Sequence, residues 1–181
     1  MRETLNLTEE DGLQALRMHL QERARVAHLR YPDLGQESSL RALLRDGEIV
    51  RFPVELRFGT EGLIPGEFAH AEPKEDRAAA GFTLFVHPQF EGRWADLAPL
   101  VLYHVPSINY LDVAGAEEAE LFGATALGLD IEDYYKRICT LADELGPAPV
   151  DPLAASVPGA DGLGGCGTHQ CSCQGPASEV P

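Results

Sequence analysis

A chain of 181 residues that is 44% hydrophobic and 24% charged has the size and composition of an ordinary globular domain, which excludes wholesale disorder. Its 29 acidic side chains against 14 basic ones leave a formal net charge of -15, which repels phosphate backbones and anionic lipid headgroups. We therefore expect neither nucleic acid nor a membrane surface as a partner.

The first residues, Met1-Arg2-Glu3-Thr4, lack the apolar stretch of a secretory signal, and the longest apolar run, Leu97 to Val105, is too short to span a bilayer. The expectation is a cytoplasmic protein. Four cysteines are too few for a disulfide scaffold, and three of them crowd near the carboxyl end, which in a reducing compartment argues for metal or redox chemistry. An extracellular setting would instead make them disulfides, one with Cys139.

In chain order, Thr8 with Asp11 three residues on forms a helix-start capping pair, and Leu13, Leu16, Leu20, Ala24 and Ala27 recur at helical spacing. This predicts a helix over 9–29, stopped by Tyr31-Pro32 because the residue before proline disfavours helix. A short helix over 40–45, capped by Ser38 or Ser39 and closed by Gly47, follows. From Val50 the period becomes two, with Val50, Phe52, Val54, Leu56 and Phe58 alternating against Arg51, Pro53, Glu55 and Arg57. That strand carries a proline, which suits an edge or a bulge. Two further strands are expected over 63–71 and 81–87, separated by a polar loop over 72–77.

After Pro88 the helical pattern returns, with Asp96 as cap, Pro99 tolerated in the first turn, and Trp94, Leu97, Val101 and Val105 facing the core. Another helix is expected over 115–127, closed by Gly128. A last one begins at Asp130 with Ile131, Tyr134, Ile138, Leu141 and Leu145 on one stripe and Gly146 at its end. The fold class is thus α+β, with a small antiparallel sheet of about three strands flanked by N-terminal and C-terminal helices over residues 1–145. Residues 146–181 contain seven of the 18 glycines and six of the 13 prolines, with no Lys, Arg or aromatic residue. Too little apolar area is present to offset the entropy of ordering, which predicts a flexible, disordered tail.

That tail carries Cys166, His169, Cys171 and Cys173, a C-x4-C-x-C arrangement with a histidine inside. Thiolate and imidazole are the donors preferred by zinc, copper(I) and iron-sulfur clusters, and the flanking glycines permit the tight wrapping that one shared ion requires. The spacing matches neither the paired C-x2-C pattern of structural zinc nor the ferredoxin runs, so it indicates a soft metal without naming it. Thiol exchange, or no role, is the competing reading.

A weaker candidate set lies in the globular part. Glu67 and His70 share a predicted strand, His87 ends the next, and His104 follows Tyr103 near a helix end; such a group suits a metal or a general base. Each histidine can equally be a satisfied polar residue at an element end, since no H-x-H or H-E-x-x-H spacing is present. Asn109-Tyr110 is placed to line a pocket or to build a helix-ending turn. Tyr134-Tyr135 reads as core plus rim, Cys139 as inert packing, and the acidic runs Glu117, Glu118, Glu120 and Asp130, Glu132, Asp133 as solvated surface. No Gly-rich phosphate loop or nucleophile elbow occurs.

These features lead to the expectation of a metal-handling accessory protein, a metallochaperone or carrier of zinc, copper or an iron-sulfur cluster, whose folded domain docks a client protein while the tail presents the metal. The alternatives are a small enzyme, or enzyme subunit, with a histidine-based site on the globular domain, and a plain interaction module.

Overall fold

The computed structural model describes residues 8–76 and 78–146. The chain divides into two units, Met1–Pro147 and Ala148–Pro181, and the described residues lie in the first. The expected α+β class is what the structure shows, with five α-helices and one three-stranded sheet among the described residues.

Helix α1 (Glu9–Arg30) begins where expected. The Thr8 side chain accepts from the Asp11 backbone N–H and the Asp11 carboxylate accepts from the Thr8 N–H at 2.8 Å, which satisfies two orphan donors reciprocally. Leu20, Ala24 and Ala27 are buried, but Leu13, near the start of the expected stripe, is 39% exposed. Helix α2 spans Glu37–Leu43, three residues earlier than the sequence pattern suggested, with Gln36 rather than Ser38 or Ser39 at its start. Ser38 and Ser39 lie inside its first turn.

The sheet holds β1 (Val54–Phe58), β2 (Ala69–Pro73) and β3 (Phe82–Val86) in the order β1-β3-β2. It is mixed rather than antiparallel: β3 pairs parallel with β1, Val54 opposite Phe82, and antiparallel with β2, Ala69 opposite Val86. Composition explains the arrangement. Strand β3 reads Phe-Thr-Leu-Phe-Val, with Leu84 and Val86 fully buried, so it belongs in the centre. The outer strands carry Pro53 at the entry to β1 and Pro73 at the end of β2, where a missing N–H costs least. Strand β1 is shorter than its period-two pattern because Val50 belongs to a turn, donating to the Asp46 carbonyl at 2.8 Å. Strand β2 starts later than expected and extends into the expected polar loop, followed by 3-10 turns at Lys74–Asp76 and Ala78–Ala80.

Helix α3 (Trp94–Tyr110) is the central helix of the first unit. Ten of its 17 residues are buried, and it contacts β2, α4 and α5. It starts earlier and ends later than expected, running through both Pro99 and Pro106. Pro99 therefore lies beyond the first turn, where it has no N–H for the Ala95 carbonyl. That carbonyl instead accepts from the Arg137 guanidinium at 2.8 Å, a donor supplied by α5. Asp96 pairs with Arg93 rather than serving as the cap.

Helices α4 (Ala116–Leu127) and α5 (Ile131–Asp143) match the expected spans closely. Gly128 closes α4 in the left-handed conformation, φ 67°, and the Asp130 carboxylate caps α5 through the Glu132 N–H at 2.9 Å. Ile131 falls off the buried stripe of α5 and is 46% exposed. Tyr134 is fully buried and its hydroxyl donates to the Pro99 carbonyl at 2.8 Å, while Tyr135 sits at the rim. Glu118 is the largest departure from a solvated acidic face. It is only 5% exposed, accepts from Arg17 Nε at 2.9 Å and from the Gly115 N–H at 3.0 Å, and so ties α1 to the start of α4. Burial alone would raise its pKa, but these hydrogen bonds outweigh burial and hold it below the usual carboxylate value.

The α4–α5 contact depends on Gly123, where an added Cβ would lie 2.1 Å from the Tyr134 ring and hydroxyl. Alanine there gains up to ~1 kcal/mol in helix propensity. The overpacking and the lost Tyr134–Pro99 bond cost more, so Gly123→Ala is expected to destabilise the protein by about 1–3 kcal/mol net. Urea unfolding followed by circular dichroism reads this as a lower midpoint with an unchanged slope, and an unchanged midpoint would show that Tyr134 yields freely.

Candidate functional site

The set Cys166, His169, Cys171 and Cys173 lies outside the described residues. The remaining cysteine, Cys139, is buried on α5. The second predicted set, Glu67, His70, His87 and His104, is described in full, and the fold treats its members differently.

His70 stands on β2 opposite Phe85, beneath the turn at Gly62, where an added Cβ would come within 2.9 Å of its ring. Glu67 lies beside it, with 4.0 Å between Glu67 Oε1 and His70 Nδ1. The same carboxylate accepts from the Ile64 N–H at 3.1 Å, so it also closes its own turn. His104 reaches this corner from α3, with its ring edge-on to Phe68 at 5.7 Å and to Tyr103 at 5.8 Å. His104 is half-buried as a residue, yet its Nε2 atom is inaccessible to solvent and has no hydrogen-bond partner among the described residues. Burial, aided by the neighbouring His70, lowers its pKa from 6.5 to about 4, so the ring is neutral at physiological pH.

His87 is engaged elsewhere. Its backbone N–H donates to the Phe68 carbonyl at 2.9 Å, and its Nδ1 accepts from the Gln89 N–H at 3.3 Å, which caps the 3-10 turn Pro88–Phe90. The structure thus brings Glu67, His70 and His104 to one corner and uses His87 as a terminator. Among the described residues, no three His, Cys, Asp or Glu side chains converge closely enough to hold a metal ion.

A second site escaped the sequence reading, apart from two of its residues. A cleft of about 290 Å³ opens between α1, the loop after α2 and the end of α3. His19 and Arg23 enter from α1 at i, i+4 spacing, Glu48 and Arg51 from the loop, and Asn109 and Tyr110 from α3. Asn109 is 4% exposed and fastens the loop. Its Oδ1 accepts from the Arg51 N–H at 2.7 Å and its Nδ2 donates to the Ile49 carbonyl at 2.8 Å. Asn109 and Tyr110 are the last two residues of α3 itself rather than part of a turn following it.

The Tyr110 ring meets His19 edge-on at 5.9 Å, and burial raises the phenol pKa although Arg23 and Arg51 both pull it down. The Arg51 guanidinium lies 5.1 Å from the centre of the Phe52 ring, a cation–π contact that limits its range. Glu48, the acidic member of the cleft, is held by Arg30 at 2.5 Å, and Arg30 also bonds Asp46.

No protein-family model, curated protein or solved structure matches this chain, so the function is read from its own residues.

The neutral His104 ring, its Nε2 shut off from solvent, makes stability depend on pH. Its folded pKa of about 4 lies below the ordinary 6.5, so the unfolded chain binds the proton more tightly, and the stability this residue contributes at pH 7 is lost as pH falls from about 6.5 towards 4. Urea unfolding at pH 7 and pH 4.5 is expected to show a loss for the native protein that His104→Leu reduces by up to ~3 kcal/mol. Parallel pH profiles for the two proteins would show that His104 takes up its proton in the folded state without cost.

Proposed function

We propose that this chain is a metal-handling accessory protein, in which Cys166, His169, Cys171 and Cys173 hold a zinc ion, copper(I) or an iron-sulfur cluster while the folded unit recognises a client. One observation carries the proposal: four soft donors stand within eight residues, with Gly164, Gly165, Gly167 and Gly175 around them. Cys139 is buried, and the described histidines and carboxylates form no three-donor group, so the carboxyl-terminal set is the dense soft-donor cluster of the sequence. The net charge of -15 favours a client with a basic docking surface, because complementary fields speed encounter and suppress wrong partners.

The histidine corner supports a second reading, a small enzyme or enzyme subunit. A neutral His104 beside His70 and Glu67 is in the protonation state that a general base or a metal ligand requires.

The two readings separate in one experiment. Untagged protein purified anaerobically is analysed for bound elements, alongside the Cys166→Ser/Cys171→Ser/Cys173→Ser and His70→Ala/His104→Ala variants. The triple serine variant is expected to lose the metal with an unchanged circular dichroism spectrum, and the histidine variant to keep it. Metal retained without the cysteines would place it at the histidines, and full-length protein that takes up no zinc, copper(I) or reconstituted cluster would end the metal reading.

A further inference from the structure

The cleft between α1 and α3 carries two cations that no carboxylate of the described residues pairs with. Acidic side chains outnumber basic ones 29 to 14, so a cation here finds a carboxylate easily. Arg17, Arg25, Arg30, Arg41, Arg57, Lys74, Arg93, Lys136 and Arg137 each do so. Among the described residues, only Arg23, Arg45 and Arg51 form no ion pair, and two of these three line the same cleft. The one carboxylate lining the cleft, Glu48, is paired with Arg30.

The other polar groups of the cleft suit an anion. The Tyr110 hydroxyl lies near enough to both arginines for each to pull on its pKa, and like any phenol it keeps its proton at neutral pH, burial raising the pKa further, so it is a donor. His19 is packed against the same ring. Asn109 spends its side chain on the Arg51 N–H and the Ile49 carbonyl, which sets the loop before any ligand arrives.

We propose that this cleft binds the phosphate group of a small phosphomonoester. A carboxylate is satisfied by one guanidinium in a bidentate pair, whereas a dianion with three free oxygens matches two guanidinium groups from different elements together with a phenolic hydroxyl. The volume of about 290 Å³ leaves room for an organic group beyond the phosphate, with the rings of Tyr110 and His19 as its wall. The site is independent of the metal proposal, since it shares no residue with Cys166, His169, Cys171 or Cys173. It also needs no Gly-rich loop, because side chains rather than backbone N–H groups hold the anion.

The test is calorimetric titration of the full-length chain with phenyl phosphate, inorganic phosphate and benzoate at low and moderate salt. Phenyl phosphate is expected to bind most tightly, inorganic phosphate more weakly and benzoate at least tenfold more weakly than phenyl phosphate, with affinity falling as salt rises. Arg23→Ala and Arg51→Ala should each weaken phenyl phosphate binding by tenfold or more and Tyr110→Phe by a few-fold, while Arg41→Ala, at an arginine paired with Glu37, leaves it unchanged. Arg23→Lys and Arg51→Lys keep the charge and are read if an alanine variant fails to fold; each should retain part of the affinity. The proposal is overturned if millimolar phenyl phosphate gives no heat, if benzoate binds equally well, or if folded Arg23 and Arg51 variants bind like the native chain.

Discussion

The structure depends on covering α3. With apolar side chains on almost every side, this helix cannot lie on a surface, and it is enclosed by β2, α4 and α5. Its prolines make the enclosure more than hydrophobic. Pro99 strips the Ala95 carbonyl of its helical partner, and Arg137 from α5 supplies the donor. Tyr134, one turn earlier on α5, donates to the Pro99 carbonyl from a fully buried position. The last helix of the folded unit is thus held to the central one by directional bonds as well as by apolar contact, which fixes its register as well as its proximity.

The second half of α3 does different work from its first. Asn109 acts as a clamp on the loop between α2 and β1, taking the place of a neighbouring strand for Ile49 and Arg51. His104, one turn and a residue before it, turns towards β2 and meets the Phe68 and Tyr103 rings. One helix therefore builds both sites of the folded unit, with the rigidity of a buried element behind each.

Charge is distributed on the same logic. The acidic excess is tied down where it would otherwise be costly, as when Arg17 and the Gly115 N–H satisfy the buried carboxylate of Glu118 and join α1 to α4. Arg30 gathers Asp46 and Glu48 in the loop after α2, so that the carboxylate lining the cleft is paired with a cation other than Arg23 or Arg51. What remains in the cleft is two arginines without an ion pair in a molecule of opposite overall sign.

Much of the local structure was legible in the residues. The Thr8–Asp11 pair, the stripe Leu20-Ala24-Ala27, Gly128 and Asp130 each act through neighbours two to four positions away, and that range is what periodicity and capping rules describe. The Cys166–Cys173 cluster and the composition shift at Gly146 are likewise properties of the chain itself. Other features required the tertiary structure because their partners are far apart in sequence. The central place of β3 follows from which strand is apolar enough for it, a comparison among strands that no single strand contains, and the long connection from β1 to β3 is what allows the two to pair parallel. Glu118 reads as one more surface acid until Arg17 is brought beside it. Asn109 and Tyr110 stood out as polar residues after an apolar run, but the arginines that give them meaning come from α1 and from the loop before β1. Short-range rules specify the elements; the free energy of burying α3 decides which distant side chains meet, and with them the site.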